Sequence, residues 1–87
     1  MDFHFQSQFK KDLKMAQKRQ YDMDKVYDIL IQIIWQEPLP ERCRPHRLSG
    51  DLVGFTECHV LNDLLLMYIL GDEKVTFSRL GTHSDLF

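Results

Sequence analysis

Two cysteines, Cys43 and Cys58, are too few to staple a chain of 87 residues. They read as reduced thiols of a cytoplasmic protein rather than as a disulfide framework. Long hydrophobic runs are missing too. The apolar segments 29–35 and 64–70 fall far short of the ~20 residues that a membrane span requires. No basic-then-apolar leader opens the chain, so a soluble protein with no membrane partner is expected. The four glycines form no phosphate-cradling loop, and no nucleophile elbow occurs. Internal repeats and low-complexity segments are absent. Charge of one sign is not in excess: eleven Lys/Arg against thirteen Asp/Glu give a net charge of −2, which argues mildly against nucleic-acid binding.

The distribution of charge says more than its sum. Residues 1–50 hold nine Lys/Arg against seven Asp/Glu, and residues 51–87 hold two against six. Lys10, Lys11, Lys14, Lys18 and Arg19 fall on one helical segment, and Arg42, Arg44 and Arg47 crowd one loop. Each cluster alone reads as an ordinary solvated surface; together they could dock locally on dense phosphate charge. With 44% hydrophobic residues the chain is expected to form one domain, 1–87. A domain this small buries only about 60–65% of its unfolded surface and is marginal alone. A bound partner would raise its stability by mass action.

Phe3 and Phe5 alternate with polar neighbours over residues 2–6, the pattern of a short strand. Ser7 is the expected cap of a helix running to about Arg19, with Phe9, Leu13 and Ala16 on one face. After a break at 20–23, Asp22 or Asp24 caps a second helix, whose apolar stripe is Val26, Ile29, Leu30, Ile33 and Ile34. Pro38 and Pro40 end it. So short a break predicts an antiparallel helix hairpin. Residues 41–50 read as an irregular, basic loop. Three strands follow at about 52–60, 64–70 and 75–82, joined by short links. The middle strand is nearly all apolar, as one covered on both faces would be. The order β-α-α-β-β-β predicts an α+β fold with a two-helix hairpin packed on one face of a small antiparallel sheet.

Side chains two apart on a strand share a face. Phe55, Glu57 and His59 therefore point one way, and Thr56, Cys58 and Val60 the other. Asp63 lies across a turn from His59, within reach of an imidazole–carboxylate contact, and His83 ends the last strand. With His46 from the basic loop, the four can converge at one end of the sheet, near Arg79. RNA cleavage needs little more. A base draws the proton from a ribose 2′-OH, an acid protonates the departing 5′ oxygen, and a cation steadies the charge between them. Histidine can take either proton role near neutrality, and DNA lacks the 2′-OH. Phe87 could cover a flat base, although such a tail normally frays.

Bland readings stand beside this one. A lone histidine is more often structural, which suffices for His4. Arg79 can simply pair with a carboxylate, Phe87 can tuck against the core, and Trp35 reads as core or interface. A zinc site built from Cys43, His46, Cys58 and His59 is disfavoured, because adjacent Cys58 and His59 should point to opposite faces of a strand. No metal or cofactor is expected.

Several segments carry a resemblance: Lys11-Asp12-Leu13-Lys14, Pro38-Leu39-Pro40, His46-Arg47-Leu48-Ser49-Gly50, Glu57-Cys58-His59-Val60, Asp63-Leu64-Leu65-Leu66-Met67-Tyr68, and the ending Gly81-Thr82-His83-Ser84-Asp85-Leu86-Phe87. Nearly end to end, the chain resembles the RelE-superfamily toxins of bacterial type II toxin–antitoxin pairs, and most closely their YafQ branch. The resemblance implies a RelE-like fold and a metal-free endoribonuclease that cuts mRNA in the ribosomal A site. It also implies inhibition by a cognate antitoxin, DinJ/RelB-like and encoded adjacently, through which alone operator DNA would be met. The family's working positions fall on His46, Glu57, His59, Asp63, Arg79, His83 and Phe87. His83 would be the proton-transfer residue, with His46 or His59 as counterpart. Asp63 would orient an imidazole, Phe87 would pack on the substrate base, and Arg44 and Arg47 would support the RNA.

Three positions depart from the family pattern. Thr56 stands where arginine is usual, and Leu52 and Val53 replace an aromatic and a basic residue. One cation lost from a charge-stabilised transition state costs about 2–4 kcal/mol if nothing replaces it. The alternative reading is therefore a catalytically attenuated member that mainly binds its antitoxin and helps repress their operon. A third is a relative acting on another target, such as a DNA topoisomerase, in which the histidines would be idle.

Overall fold

A computed structural model describes all 87 residues. In chain order it contains strand β1 (Asp2–Phe5), helices α1 (Ser7–Lys18) and α2 (Met23–Ile34), strands β2 (His46–Arg47), β3 (Thr56–Leu61), β4 (Leu64–Leu70) and β5 (Lys74–Gly81), and a closing helical turn, α3 (His83–Leu86). The strands form one sheet in the order β1-β5-β4-β3-β2. From β2 to β5 each neighbour pairs antiparallel, as short links demand. β1 lies parallel to β5 at the far edge, a pairing that the order of elements alone does not reveal.

The amphipathic stripes explain the layers. Phe9 and Ala16 of α1 and Val26, Ile29, Leu30 and Ile33 of α2 are buried against Val60, Leu64, Leu66 and Phe77 of the sheet. Phe5, Phe9 and Phe77 cluster at centroid distances of 5.0–5.6 Å, with Phe9 stacked on Phe77 and Phe5 tilted or edge-on to both. Each such side chain contributes about 1.5–3 kcal/mol by leaving water. Cys43 and Cys58 are unpaired and fully buried in this core. Burial pushes the Cys58 thiol up to about 12, so it stays protonated and inert. Trp35, expected in the core or an interface, is outside the core and 72% exposed, because it follows the last turn of α2 on the solvent side; that exposure is compatible with an interface.

Several local expectations give way. Gln6, not Ser7, is the cap of α1, and no side chain bonds there, since β1 runs almost directly into the helix. Asp22 does cap α2, accepting the Lys25 N–H at 3.4 Å. The strand expected from residue 52 starts at Thr56, because residues Gly50–Leu52 wind into a 3-10 turn and Gly54 takes a φ of +97°. The stretch 41–50 is not wholly irregular. It contains a 3-10 turn at Glu41–Cys43 and the edge strand β2, with His46 opposite Glu57 and Arg47 opposite Thr56.

Two features of β5 position everything that follows. Tyr68 pairs with Phe77 and Met67 with Arg79, which leaves Ser78 as the extra residue of a bulge. One extra residue reverses the side-chain alternation. Phe77 and Leu80 thus both reach the core, while Arg79 is turned to the opposite face. The second feature is the strand's outer edge. β1 ends at Phe5, opposite Phe77, so the amides beyond need another partner. Buried Asp12 of α1 supplies it, accepting the Leu80 N–H at 2.9 Å, Arg79 Nε at 2.9 Å and Gln8 Nε2 at 3.0 Å.

Asp12→Ala should therefore leave a buried amide and a partly buried guanidinium unpaired, destabilising the fold by about 2–4 kcal/mol. Thermal unfolding should show a fall in Tm of ~10–20 °C. A fall under ~4 °C would mean that the carboxylate does not hold this edge.

Candidate active site

On the sheet face away from the helices, cross-strand pairing sets out two rows. One runs His46, Glu57, Met67, Arg79; the other runs His59, Leu65, Gly81. Neighbouring strands are ~4.8 Å apart, so β3 and β5 face each other across roughly 10 Å. Leu65 and Met67 form an apolar floor between polar walls, both buried.

A cleft of about 660 Å³ opens at the end of this face, lined by Glu57, His59, Asn62, Asp63, Leu65, Thr82, His83 and Ser84. Three of the four expected acid–base residues, His59, Asp63 and His83, thus meet in one cavity. The fourth, His46, stands behind largely buried Glu57, with Nε2 3.5 Å from the Glu57 carboxylate and Nδ1 3.1 Å from the Arg44 carbonyl oxygen. Two imidazoles in one cavity can serve as base and acid, and the apolar floor suits a base or ribose.

Other expected contacts and places differ. Asp63 does not bond His59: its carboxylate accepts the Tyr21 hydroxyl at 3.1 Å, because the turn 62–63 carries it towards the link between α1 and α2. Arg79 is held on Asp12 and lines a neighbouring groove with Lys11 and Arg19. Arg44 reaches a small pocket on the far side of His59. Arg47 lies in a separate groove with Thr56, so threonine at that position removes no cation from the cleft itself. The zinc alternative also loses its geometry. Cys43 and Cys58 are buried in the core, whereas His46 and His59 share the face with Glu57.

The tail is a capped helical turn. Thr82 and Asp85 form a reciprocal cap: the Asp85 carboxylate accepts the Thr82 N–H at 2.9 Å, and the Thr82 hydroxyl accepts the Asp85 N–H at 3.2 Å. A T-x-x-D spacing is a capping signal, but with only five residues after Thr82 it does not by itself predict a helix. Arg19 closes the turn from outside, its Nη1 2.8 Å from Asp85 Oδ2. A Cβ on Gly81 would come within 2.9 Å of the Asp85 Cβ, so only glycine lets the turn pack this closely. Phe87 then lies edge-on to the His83 ring, centroids 5.0 Å apart, and remains half exposed. The hydrogen bond from Arg19, backed by those of Thr82, holds the Asp85 carboxyl down at about 2, and Asp85 raises the Arg19 guanidinium in return. Partial burial and the bond to Asp63 raise the Tyr21 hydroxyl. Arg19, Tyr21 and Asp12 are not among the working positions expected from the sequence, and only the fold brings them to the site.

The family model described as "Bacterial toxin of type II toxin-antitoxin system, YafQ" matches residues 1–87. This chain belongs to the YafQ toxin family. It is 39% identical over 87 residues to the mRNA interferase toxin YafQ of Escherichia coli K12, covering 99% of this chain and 95% of that one. The crystal structure of YafQ from E. coli BL21(DE3) is similar with a TM-score of 0.94 at 38% identity, covering 99% of this chain and 97% of that one. The E. coli DinJ–YafQ complex contains a similar chain, with a TM-score of 0.91 at 39% identity over 99% of this chain and 97% of that one. The YafQ fold is thus shared over its whole length, including the α+β architecture expected from the sequence.

Asp85 gives the site a defined acid response. Its folded value lies below the ordinary 3.8, so the cap is complete above that pH and is lost as pH falls through about 2. The step in the Thr82 and Asp85 amide resonances that follows the Asp85 carboxyl, read by NMR, should have its midpoint near 2. A midpoint at 3.8 would show that the pair is not formed in solution.

Proposed function

We propose that this toxin is an endoribonuclease of the mRNA interferase type, cleaving mRNA in the ribosomal A site and so blocking translation. The observation that carries the reading is one cavity holding His59, Asp63, Glu57 and His83, with Phe87 beside the last. In this reading one imidazole, His59 or His46, takes the 2′-OH proton, and the oxygen attacks the adjacent phosphorus. His83 returns a proton to the departing 5′ oxygen, and the products are a 2′,3′-cyclic phosphate and a free 5′-OH. The likeness to the E. coli mRNA interferase supports it. No metal is needed for these steps: both proton transfers are within reach of imidazole near pH 7. Glu57 sets the His46 ring, Phe87 covers a base, and Arg79, Arg44 and Arg47 attract the backbone from the flanking grooves.

The partner is a cognate antitoxin of the DinJ/RelB kind, encoded beside the toxin, a proposal supported by the DinJ–YafQ complex. Basic Lys10–Arg19 and the loop with Arg42, Arg44 and Arg47 suit an acidic segment that folds as it binds. Operator DNA would be met only through that antitoxin, and the place of action is the cytoplasm. The attenuated reading has one observation in its favour: Arg79, the arginine of the row beside the cleft, is tied to Asp12.

Induced expression with mapping of mRNA 5′ ends tests the enzyme. His83→Gln keeps a polar group but no titrating proton, so cleavage should fall ~10²–10⁴-fold and growth arrest should vanish, with antitoxin binding retained. Removing Phe87 should weaken cleavage less, by about 1–3 kcal/mol of stacking. Parent-rate cleavage by His83→Gln would replace the enzyme with the antitoxin-binding module. Co-expression with the neighbouring gene should yield one co-purifying complex; two independently purifying proteins would refute the partnership.

A further inference from the structure

We propose that Arg19 and Tyr21, in the link between α1 and α2, are positioning residues that set the separation of the two walls of the cleft. The inference rests on the proton-transfer role of His83 and adds two residues with no assigned part in it. One wall is the capped turn with His83; the other is the tip of the β3–β4 hairpin with Asp63. Each is held from outside by this one link. Arg19 Nη1 lies 2.8 Å from Asp85 Oδ2, and that same oxygen takes the Thr82 N–H that starts the turn. Tyr21 donates its hydroxyl to Asp63 Oδ2 at 3.1 Å. Gln20, between them, takes a φ of +65°. The chain reverses there, so the neighbouring side chains leave towards two different loops of the sheet.

Energetics separates positioning from mere stabilisation. The Arg19–Asp85 pair is one-third to two-fifths exposed, and such pairs add little to global stability. Yet without the guanidinium the Asp85 carboxylate is free to turn away from Thr82, and His83 and the Phe87 ring move with the cap. A misplacement of ~1 Å can reduce a rate ~100-fold. Loss of Arg19 should therefore appear in catalysis and not in melting.

The test uses the full-length toxin released from its antitoxin, with ribosome-bound message as substrate. Arg19→Gln should lower kcat ~10-fold or more while KM stays within ~threefold, with Tm within about 3 °C of the parent. Arg19→Lys should recover part of the rate. The double variant Arg19→Gln with Asp85→Asn should be no slower than the worse single variant, because Arg19 acts through Asp85. Multiplying effects would mean that Arg19 binds RNA directly and would overturn the proposal. Tyr21→Phe should lower kcat on its own; a parent rate overturns the part assigned to Tyr21. NMR of the His83 imidazole reads position without any cleavage: its resonances should shift in Arg19→Gln. If the parent does not cut RNA the functional reading fails, and unmoved His83 resonances would separately refute the positioning.

Discussion

A sheet edge cannot lie buried with its amides unpaired, and in this chain a single carboxylate meets that requirement. β1 is too short to cover β5, so Asp12 takes over where Phe5 ends, binding the Leu80 amide and the Arg79 guanidinium together. The consequence is geometric. α1 is fixed along β5 at this point, and its last turn must arrive beside the end of that strand. Arg19 can then reach Asp85, and Tyr21 can reach Asp63. The cleft is thus held by contacts that begin on the helix side of the protein.

The bulge at Ser78 is the second constraint. It moves Leu80 onto the core face and Arg79 and Gly81 onto the cleft face, so the turn bearing His83 leaves the sheet on the side of Glu57 and His59. The arrangement leaves the Ser78 hydroxyl buried with no protein group bonded to it. Such irregularities recur next to sites, where they re-aim side chains.

The tail joins these constraints. Four terminal residues cannot sustain a helix by propensity alone, so α3 depends on its cap, on the external Arg19 and on the absence of a side chain at Gly81. Both His83 and Phe87 ride on it. Local order at the chain end joins its own cap to one side chain 66 positions away, Arg19, which lets a small domain present an imidazole and an exposed ring without a larger core behind them.

The amphipathic periodicity of α1 and α2, the apolar run of β4 and the turn chemistry at 62–63 were legible in the sequence, because each depends on neighbours within a few residues. So was the common face of Glu57 and His59, which follows from alternation along one strand. The motifs ECHV and GTHSDLF pointed to the toxin family before any contact was known. Tertiary structure alone decided the parallel pairing of β1, the reversal at Ser78, the turn of Asp63 towards Tyr21 and the capture of Arg79 by Asp12. Each joins residues far apart in the chain whose local patterns are silent about the encounter. A carboxylate on a helix face reads as solvated until a strand edge with a bare amide is laid against it, and only the folded sheet supplies that edge.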